Sequence, residues 1–200
     1  MNSGMNVETR WVVEWRSACD FLRAYEPTRE EIARFAPVLA GYYNDEYNRS
    51  MMANTVAMTA DEVVEHFEGL QRAGGRPFVL ERDGVLMGDA DLRHLTARTA
   101  EFAILVGQRP EQGKGIGTRF ALALHALAFC GLGLERIYIS IVPANRPSQR
   151  LFAKLGYTGD DSREARAFTD EASDITLSLG RAEFAAAHAA ALLEIHWSVR

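Results

Sequence analysis

Residues 112–117 (Gln-Gly-Lys-Gly-Ile-Gly) separate an apolar, strand-like run from a long helical segment rich in Ala and Leu. Their three glycines lack Cβ atoms, so the backbone can turn tightly and come close to a bound ligand. The helix that follows exposes its first N–H groups and the positive end of its dipole, and both favour an anion. The sequence therefore predicts a strand–turn–helix unit that binds a phosphate-bearing ligand.

Two well-known phosphate motifs do not fit this turn. A P-loop has four residues between its glycines and then Lys and a hydroxyl residue. Here Gly107 and Gly113 enclose five residues, and Gly115 follows Lys114. A dinucleotide fingerprint spaces its glycines G-x-G-x-x-G and has an acidic residue at a later strand end. This turn reads G-x-G-x-G, and Glu135 precedes its strand. A glycine-rich turn without a ligand stays open as an alternative at this point.

The segments on either side of the glycine turn help to decide between a ligand-binding turn and a turn without a ligand. Residues 99–107 are apolar almost throughout and predict a central strand. The helix after the turn ends near Gly131, and isoleucines at alternate positions of 137–141 predict a second strand. Asn145 is a typical N-cap residue, and it begins a helix that ends at Gly156. The order is therefore strand, glycine turn, helix, strand and helix.

Residues 99–158 resemble the acetyl-CoA-binding core of the GCN5-related N-acetyltransferase (GNAT) family. The turn matches the family signature Q-x-x-G-x-G/A at Gln112, Gly115 and Gly117, and residues 145–157 match N-x-x-S/A-x-x-L-Y-x-K-x-G-F. The two motifs together, in the right order, are far more specific than the turn alone. The resemblance implies an α/β GNAT fold, with a mixed central β-sheet of about six to seven strands flanked by helices.

The resemblance also implies acetyl-CoA as co-substrate and a set of residues that bind it. The pyrophosphate is expected on the amides of the turn, with positive charge from Arg109, Lys114 and Arg119. The pantetheine arm is expected to pair with the backbone of the first strand and with Asn145. The predicted cofactor-binding residues are Ile104, Leu105, Val106, Gln112, Gly113, Lys114, Gly115, Ile116, Gly117, Thr118, Asn145 and Phe152.

The implied reaction is transfer of an acetyl group to a primary amine by direct attack in a ternary complex. The amine must lose a proton, and Glu101 is the first candidate for the base, with Asp89 or Asp91 next. The departing thiolate needs a proton donor, but Phe152 occupies the position where family members commonly have a tyrosine. Ser148, one turn earlier, is the substitute. The alternatives are a solvated charge for Glu101 and a helix-start role for Ser148.

The acceptor is less well defined. The strand and turn are similar to the branch that acetylates N-terminal amines of ribosomal proteins, and polyamine and aminoglycoside acetyltransferases share much of that pattern. The acceptor-side elements are expected in residues 26–75 and 159–173, outside the acetyl-CoA core at 99–158. A non-catalytic acyl-CoA-binding regulatory module is the alternative function, which the phenylalanine at Phe152 favours.

Length and composition agree with a single domain over residues 1–200, which is expected to be cytoplasmic. Hydrophobic residues make up 48% and charged residues 24%, as in ordinary globular proteins. The net charge of −5 argues against a general nucleic-acid binder, and no apolar run suggests a membrane span or secretion signal. Cys19 and Cys130 are interpreted as structural thiols. No histidines have the spacing of metal ligands, so no metal is expected.

The remaining segments predict further helices and strands. Capping boxes at Thr28 and Thr59 begin two helices, and a hairpin turns at residues 82–84. A first strand is expected at residues 21–25. The helical spacing of apolar residues from Trp11 to Leu22 predicts an additional N-terminal helix, and residues 181–195 predict an additional Ala-rich C-terminal helix. Aromatic residues near both ends are expected to pack on the body, with a homodimer contact as the alternative.

Overall fold

A nine-stranded mixed sheet forms the centre of the structure, a computed structural model that describes residues 9–52, 56–169 and 171–200. The strands lie in the order β7-β8-β6-β5-β4-β3-β2-β1-β9, and the one parallel pair in these ranges is β5 with β6. The predicted mixed sheet is confirmed, with more strands than expected. The strands are β1 (Trp11–Arg16), β2 (Phe21–Tyr25), β3 (Arg76–Arg82), β4 (Val85–Arg93), β5 (Thr99–Val106), β6 (Arg136–Ile141), β7 (Thr158–Gly159), β8 (Ile175–Gly180) and β9 (Ile195–Val199).

Helices flank this sheet on both faces. In the described ranges, none of them has the length and apolar character that crossing a membrane requires. The last turns of α4 widen into a π-helical segment, Leu127–Gly131. The helices are α1 (Arg29–Asn44), α2 (Glu46–Met52), α3 (Ala60–Arg72), α4 (Ile116–Ala126), α5 (Arg146–Leu155), α6 (Arg163–Arg166) and α7 (Arg181–Leu192).

Two apolar cores hold the layers together. Helices α1 and α3 bury Leu39 and Phe67 against one face of the sheet. Helices α4 and α5 bury Phe120 and Leu155 against the other face. Because the central strands are covered on both sides, their side chains are apolar in both directions, which explains the near-continuous apolar sequence of β5. The edge of β5 that faces β6 is where the site lies.

Local sequence signals predicted several boundaries correctly. Thr28 and Thr59 each accept the backbone N–H of the glutamate three residues on, and that glutamate bonds back to the threonine N–H. The hairpin between β3 and β4 turns at Asp83 and Gly84, with φ of 52° and 77°. Paired positive φ angles give a turn whose twist matches that of the two strands.

The predicted N-terminal helix is wrong, because residues 11–16 form β1. The strand predicted at Phe21–Tyr25 is confirmed as β2. Val12 contacts the core under α1, whereas Val13 contacts the core under α4. Burial on both faces of the strand hides the two-residue alternation that would have indicated β-structure. The predicted C-terminal helix is confirmed as α7, and the chain then adds β9 beside β1.

A neutral histidine lies inside the core beneath α4. His125 is fully buried, with Nδ1 2.6 Å from the Ala121 carbonyl oxygen and Nε2 2.6 Å from the Tyr157 hydroxyl. A carbonyl can only accept, so Nδ1 donates to Ala121 and Nε2 accepts from Tyr157. Burial lowers the pKa of His125 to about 3. The folded protein therefore keeps this imidazole uncharged at neutral pH.

This histidine makes stability depend on pH. The unfolded chain takes up a proton on His125 below about pH 6.5, and the folded protein does not, so acidification favours unfolding. Between about pH 7 and pH 5, the difference in free energy of unfolding between the wild type and His125→Gln should shrink by about 2 kcal/mol. Urea unfolding of both proteins at each pH measures it, and other titrating groups cancel in the comparison. A difference independent of pH would contradict the assignment.

Candidate active site

The sheet opens where its two parallel strands diverge. Strands β5 and β6 pair at Thr99 with Arg136, Ala100 with Ile137 and Glu101 with Tyr138. Beyond Glu101, β5 continues to Val106 while it pairs with β4 alone in the described part of the chain. Its other edge therefore presents backbone N–H and C=O groups that an extended ligand can pair with.

A cleft of about 470 Å³ occupies this opening. It brings together the end of β5, the glycine turn with the start of α4, the first turns of α5, and one side of α2. Most of the predicted cofactor-binding residues and Ser148 line it. Its walls comprise Tyr47, Asn48, Met51, Met52, Ile104, Leu105, Val106, Arg109, Glu111, Gln112, Gly113, Gly115, Ile116, Gly117, Thr118, Asn145, Pro147, Ser148, Arg150, Leu151 and Lys154.

The glycine turn leaves the start of α4 open. Gly113 and Gly115 have φ of 77° and 86°, in the left-handed region that favours glycine. Gly115 is the N-cap of α4, and no side chain caps the helix there. The first N–H groups of α4 and its positive dipole end consequently face the cleft, an arrangement suited to an anion.

The three side chains that were predicted to supply positive charge have different partners. Arg109 lies over the Tyr47 ring, 3.6 Å from its centroid, at the wall of the cleft. Lys114 Nζ is 3.4 Å from Glu111 Oε1 and does not contribute to the cleft wall. Arg119 donates to both carboxylate oxygens of Asp20 at 2.7 and 2.8 Å. Arg119 thus forms an ion pair with Asp20 that connects α4 to the start of β2.

The two polar motif side chains, Gln112 and Asn145, contact protein atoms. Gln112 Nε2 donates to Asn48 Oδ1 at 2.9 Å and to the Val106 carbonyl at 2.7 Å. Asn145 Oδ1 accepts the N–H of Ser148 at 3.0 Å, which makes it the N-cap of α5, as predicted. Its Nδ2 donates to the Met51 carbonyl at 2.8 Å. Both side chains thus reach α2.

A buried acidic group lies beside β5, on the face that α1 and α3 cover. Asp89 pairs in register with Leu105, and its Oδ2 accepts from the Tyr43 hydroxyl at 2.6 Å. Burial raises the pKa of Asp89 to about 7 and also raises that of Asp91. Glu101 is 7% exposed, with Oε2 3.4 Å from Arg93 Nε. Glu101 is itself a residue of β5, but it does not line the cleft.

Phe152 and Ser148 occupy different environments. Phe152 is 4% exposed and packs against Phe102 and Tyr157, so it supports the cleft from behind without lining it. Ser148 lies in the cleft wall on the first turn of α5. In the described part of the chain, Ser148 uses its backbone N–H for the bond to Asn145, and its hydroxyl has no bond of its own.

Sequence reading missed helix α2, because residues 44–54 look like a polar loop. A local signal was present: the Asp45 carboxylate accepts the N–H of Asn48 at 2.9 Å, as an N-cap does. Tyr47 and Met51, four residues apart, form a short apolar face toward the cleft. In the ranges that the structure describes, no group of three or more His, Cys, Asp or Glu side chains could hold a metal ion.

A family model described as an acetyltransferase (GNAT) domain matches residues 13–158. The chain belongs to the GNAT acetyltransferase family, and enzymes of this family use acetyl-CoA as co-substrate. The predicted class of enzyme is therefore confirmed. A search of curated proteins finds no significant match.

Solved structures share the fold at low sequence identity. RimJ from Mycobacterium smegmatis in complex with CoA-disulfide is 18% identical over 94% of this chain and 97% of that chain, with a TM-score of 0.71. Spermidine N-acetyltransferase from Vibrio cholerae with CoA and spermine is 21% identical over 82% and 97%, with a TM-score of 0.66. Aminoglycoside acetyltransferase AAC(6')-Ib with coenzyme A is 18% identical over 82% and 96%, with a TM-score of 0.67.

Proposed function

We propose that this chain transfers an acetyl group from acetyl-CoA to a primary amine by direct attack in a ternary complex. The observation that carries the proposal is the cleft where β5 and β6 diverge, which joins a free strand edge to the uncapped start of α4. A pantetheine arm and a pyrophosphate need those two features side by side. Membership of the GNAT acetyltransferase family supports the same donor.

The proposed acetyl transfer uses backbone and carboxylate groups of strands β4 and β5. The neutral amine attacks the thioester carbonyl, a C–N bond forms, and the C–S bond breaks to release the CoA thiolate. A backbone N–H of β5, for which we propose that of Leu105, stabilises the oxyanion of the tetrahedral intermediate. An alkyl ammonium has a pKa of about 10, so a base must remove its proton before attack. We keep Glu101 as the first candidate, with Asp89 as its competitor.

A cationic acceptor is supported by the charges near the cleft. Asp89, Asp91 and Glu101 lie on neighbouring strands, and Arg93 contacts two of these three carboxylates, so we propose that the remaining negative charge attracts an ammonium group. Two of the similar structures carry the names of a spermidine and an aminoglycoside acetyltransferase. We therefore propose a protein N-terminus, a polyamine or an aminoglycoside as the acceptor.

A thiol-release assay tests the proposed function. Purified protein and acetyl-CoA are incubated with three sets of amines: peptides with free N-termini, polyamines and aminoglycosides. Release of CoA thiol that depends on one of these amines supports the transfer reaction and identifies the acceptor class. Tight acetyl-CoA binding without release for any amine would favour the second candidate, a non-catalytic acyl-CoA-binding regulatory module. Phe152, which cannot donate a proton, is the observation that favours that module.

Replacement of Ser148 by alanine should lower turnover by roughly 10-fold while acetyl-CoA affinity changes little. The reason is that protonation of the leaving thiolate is an interaction made mainly in the transition state. Steady-state kinetics gives the turnover, and calorimetry gives the affinity. Asn145 supplies the N-cap bond of α5 through the Ser148 backbone N–H, so the substitution leaves the cap in place.

A second substitution tests whether a new hydroxyl can replace that of Ser148. Phe152→Tyr adds a hydroxyl four residues along the same helix and should restore part of the activity in the Ser148→Ala background. Full activity of the Ser148→Ala protein would instead indicate that solvent protonates the thiolate.

The homodimer contact and the cytoplasmic location both remain predictions. Trp11, Trp15 and Trp197 pack against the core below α4, which supports packing on the body over a homodimer contact. We retain a cytoplasmic location as a proposal.

A further inference from the structure

We infer that Gln112 and Asn145 act as positioning residues that hold helix α2 in place as a wall of the cleft, within residues 26–75, where the acceptor-side elements are expected. This inference rests on the proposed function, since it concerns how that site receives the acceptor. Both residues belong to the motifs expected to contact acetyl-CoA, but their side chains bond to α2 and to the backbone around it. The assignment separates the residues that bind the donor from those that shape the acceptor side.

Helix α2 has little apolar anchorage of its own. In the described part of the chain it is seven residues long, and Asn48 is its one fully buried side chain, at 1% exposure. Tyr47 is 37% exposed, although it lines the cleft. A helix this short gains little stability from its own hydrogen bonds. Its position consequently depends on polar contacts with neighbouring elements.

Gln112 supplies the first contact. It bridges Asn48 Oδ1 and the Val106 carbonyl, while Asn48 Nδ2 donates to the carbonyls of Tyr42 and Gly107 at 2.9 and 3.3 Å. Gln112 Oε1 accepts from Arg109 at 2.7 Å. The polar atoms of the Gln112 side chain are thus all bonded to protein. Loss of this side chain would remove one of the two links between Asn48 and the end of β5, and the bond from Asn48 to the Gly107 carbonyl would remain.

Asn145 supplies the second contact, at the opposite end of α2. Its Oδ1 caps α5, and its Nδ2 reaches across the cleft to the Met51 carbonyl. Both polar atoms of this side chain therefore already have protein partners, one of them on α2 and the other in the first turn of α5. The geometry therefore assigns Asn145 to the α2 wall, in contrast to the expectation that it holds the pantetheine arm.

Two substitutions remove these contacts with little other change. Asn145→Ser keeps a neutral N-cap of similar strength but is too short to reach Met51. Gln112→Met keeps the length of the side chain and removes its polar atoms. Each should raise the KM for the acceptor and the hydrogen-exchange rate of the 46–52 amides by roughly fivefold, the scale of one or two lost hydrogen bonds. The acetyl-CoA dissociation constant, measured by calorimetry without acceptor, should change less than about threefold.

Gln149→Met is the matched control. Gln149 lies on the same helix start as Asn145 and donates to the Pro143 carbonyl at 2.8 Å, away from α2. This variant should leave the acceptor KM and the exchange of residues 46–52 unchanged.

The inference requires faster hydrogen exchange of the 46–52 amides together with retained acetyl-CoA affinity. Any other combination of these two results overturns it. In particular, tenfold weaker acetyl-CoA binding with unaltered exchange would show that these side chains hold the donor. Exchange and calorimetry require no turnover. If the wild-type protein acetylates no amine, the proposed function is refuted. Exchange and calorimetry would still test the assignment of Gln112 and Asn145 to α2.

Discussion

Replacement of Gly115 by aspartate is expected to lower the affinity for acetyl-CoA by at least about 10²-fold, because like charges within ~4 Å near a protein surface repel by several kcal/mol. Gly115 is the N-cap of α4, and a Cβ built there meets no atom within 4 Å. The added carboxylate therefore fits sterically but occupies the place proposed for the pyrophosphate. Calorimetric titration with acetyl-CoA measures the loss.

The same position offers its own control. The φ of Gly115 is 86°, so any side chain there strains the backbone, and Asn and Asp tolerate this region better than most residues. Gly115→Asn has nearly the same shape as Gly115→Asp and no charge. It should retain most of the affinity that the aspartate variant loses. Equal affinity for Gly115→Asp and the wild type, in folded protein, would remove the pyrophosphate site from this turn.

Glu101→Gln is expected to reduce turnover at neutral pH by roughly 10²-fold, the usual scale for loss of a general base. The glutamine keeps the size of the side chain but cannot accept the ammonium proton. Raising the pH should restore part of the rate, because a larger share of the amine is then already neutral. The pH profile of kcat for wild type and variant measures both effects.

Asp89→Asn distinguishes the two candidate bases. Burial raises the pKa of Asp89 to about 7, so Asp89 is ionised, and able to take a proton, above about pH 7. If Asp89 is the base, its replacement should lower turnover and remove the acidic limb of the pH profile, while Glu101→Gln keeps both. Wild-type turnover and an unchanged profile in Glu101→Gln would show that Glu101 is a structural charge balanced by Arg93.

Much of the site could be predicted from sequence because its parts are local. The glycine turn, the N-cap at Asn145 and the strands on either side depend on residues close together in the chain, and the structure has them at the predicted places. The failures involve distant partners. Periodicity could not show that both faces of β1 are covered, nor that the Asn145 amide bonds to Met51, 94 residues away. Likewise, the ion pair between Arg119 and Asp20 joins residues 99 positions apart.

The pairing of β1 with β9 has a consequence for how this protein is made. Trp11 pairs with Val199 and Trp15 with Ile195, so the outer neighbour of β1 comes from the last residues of the described chain. During translation, the hydrogen-bonding edge of β1 stays open until residues 195–199 have left the ribosome. An open edge can pair with other chains, and closing such a distant contact is slow. The nascent chain therefore exposes this edge of β1 to pairing with other chains until synthesis reaches β9.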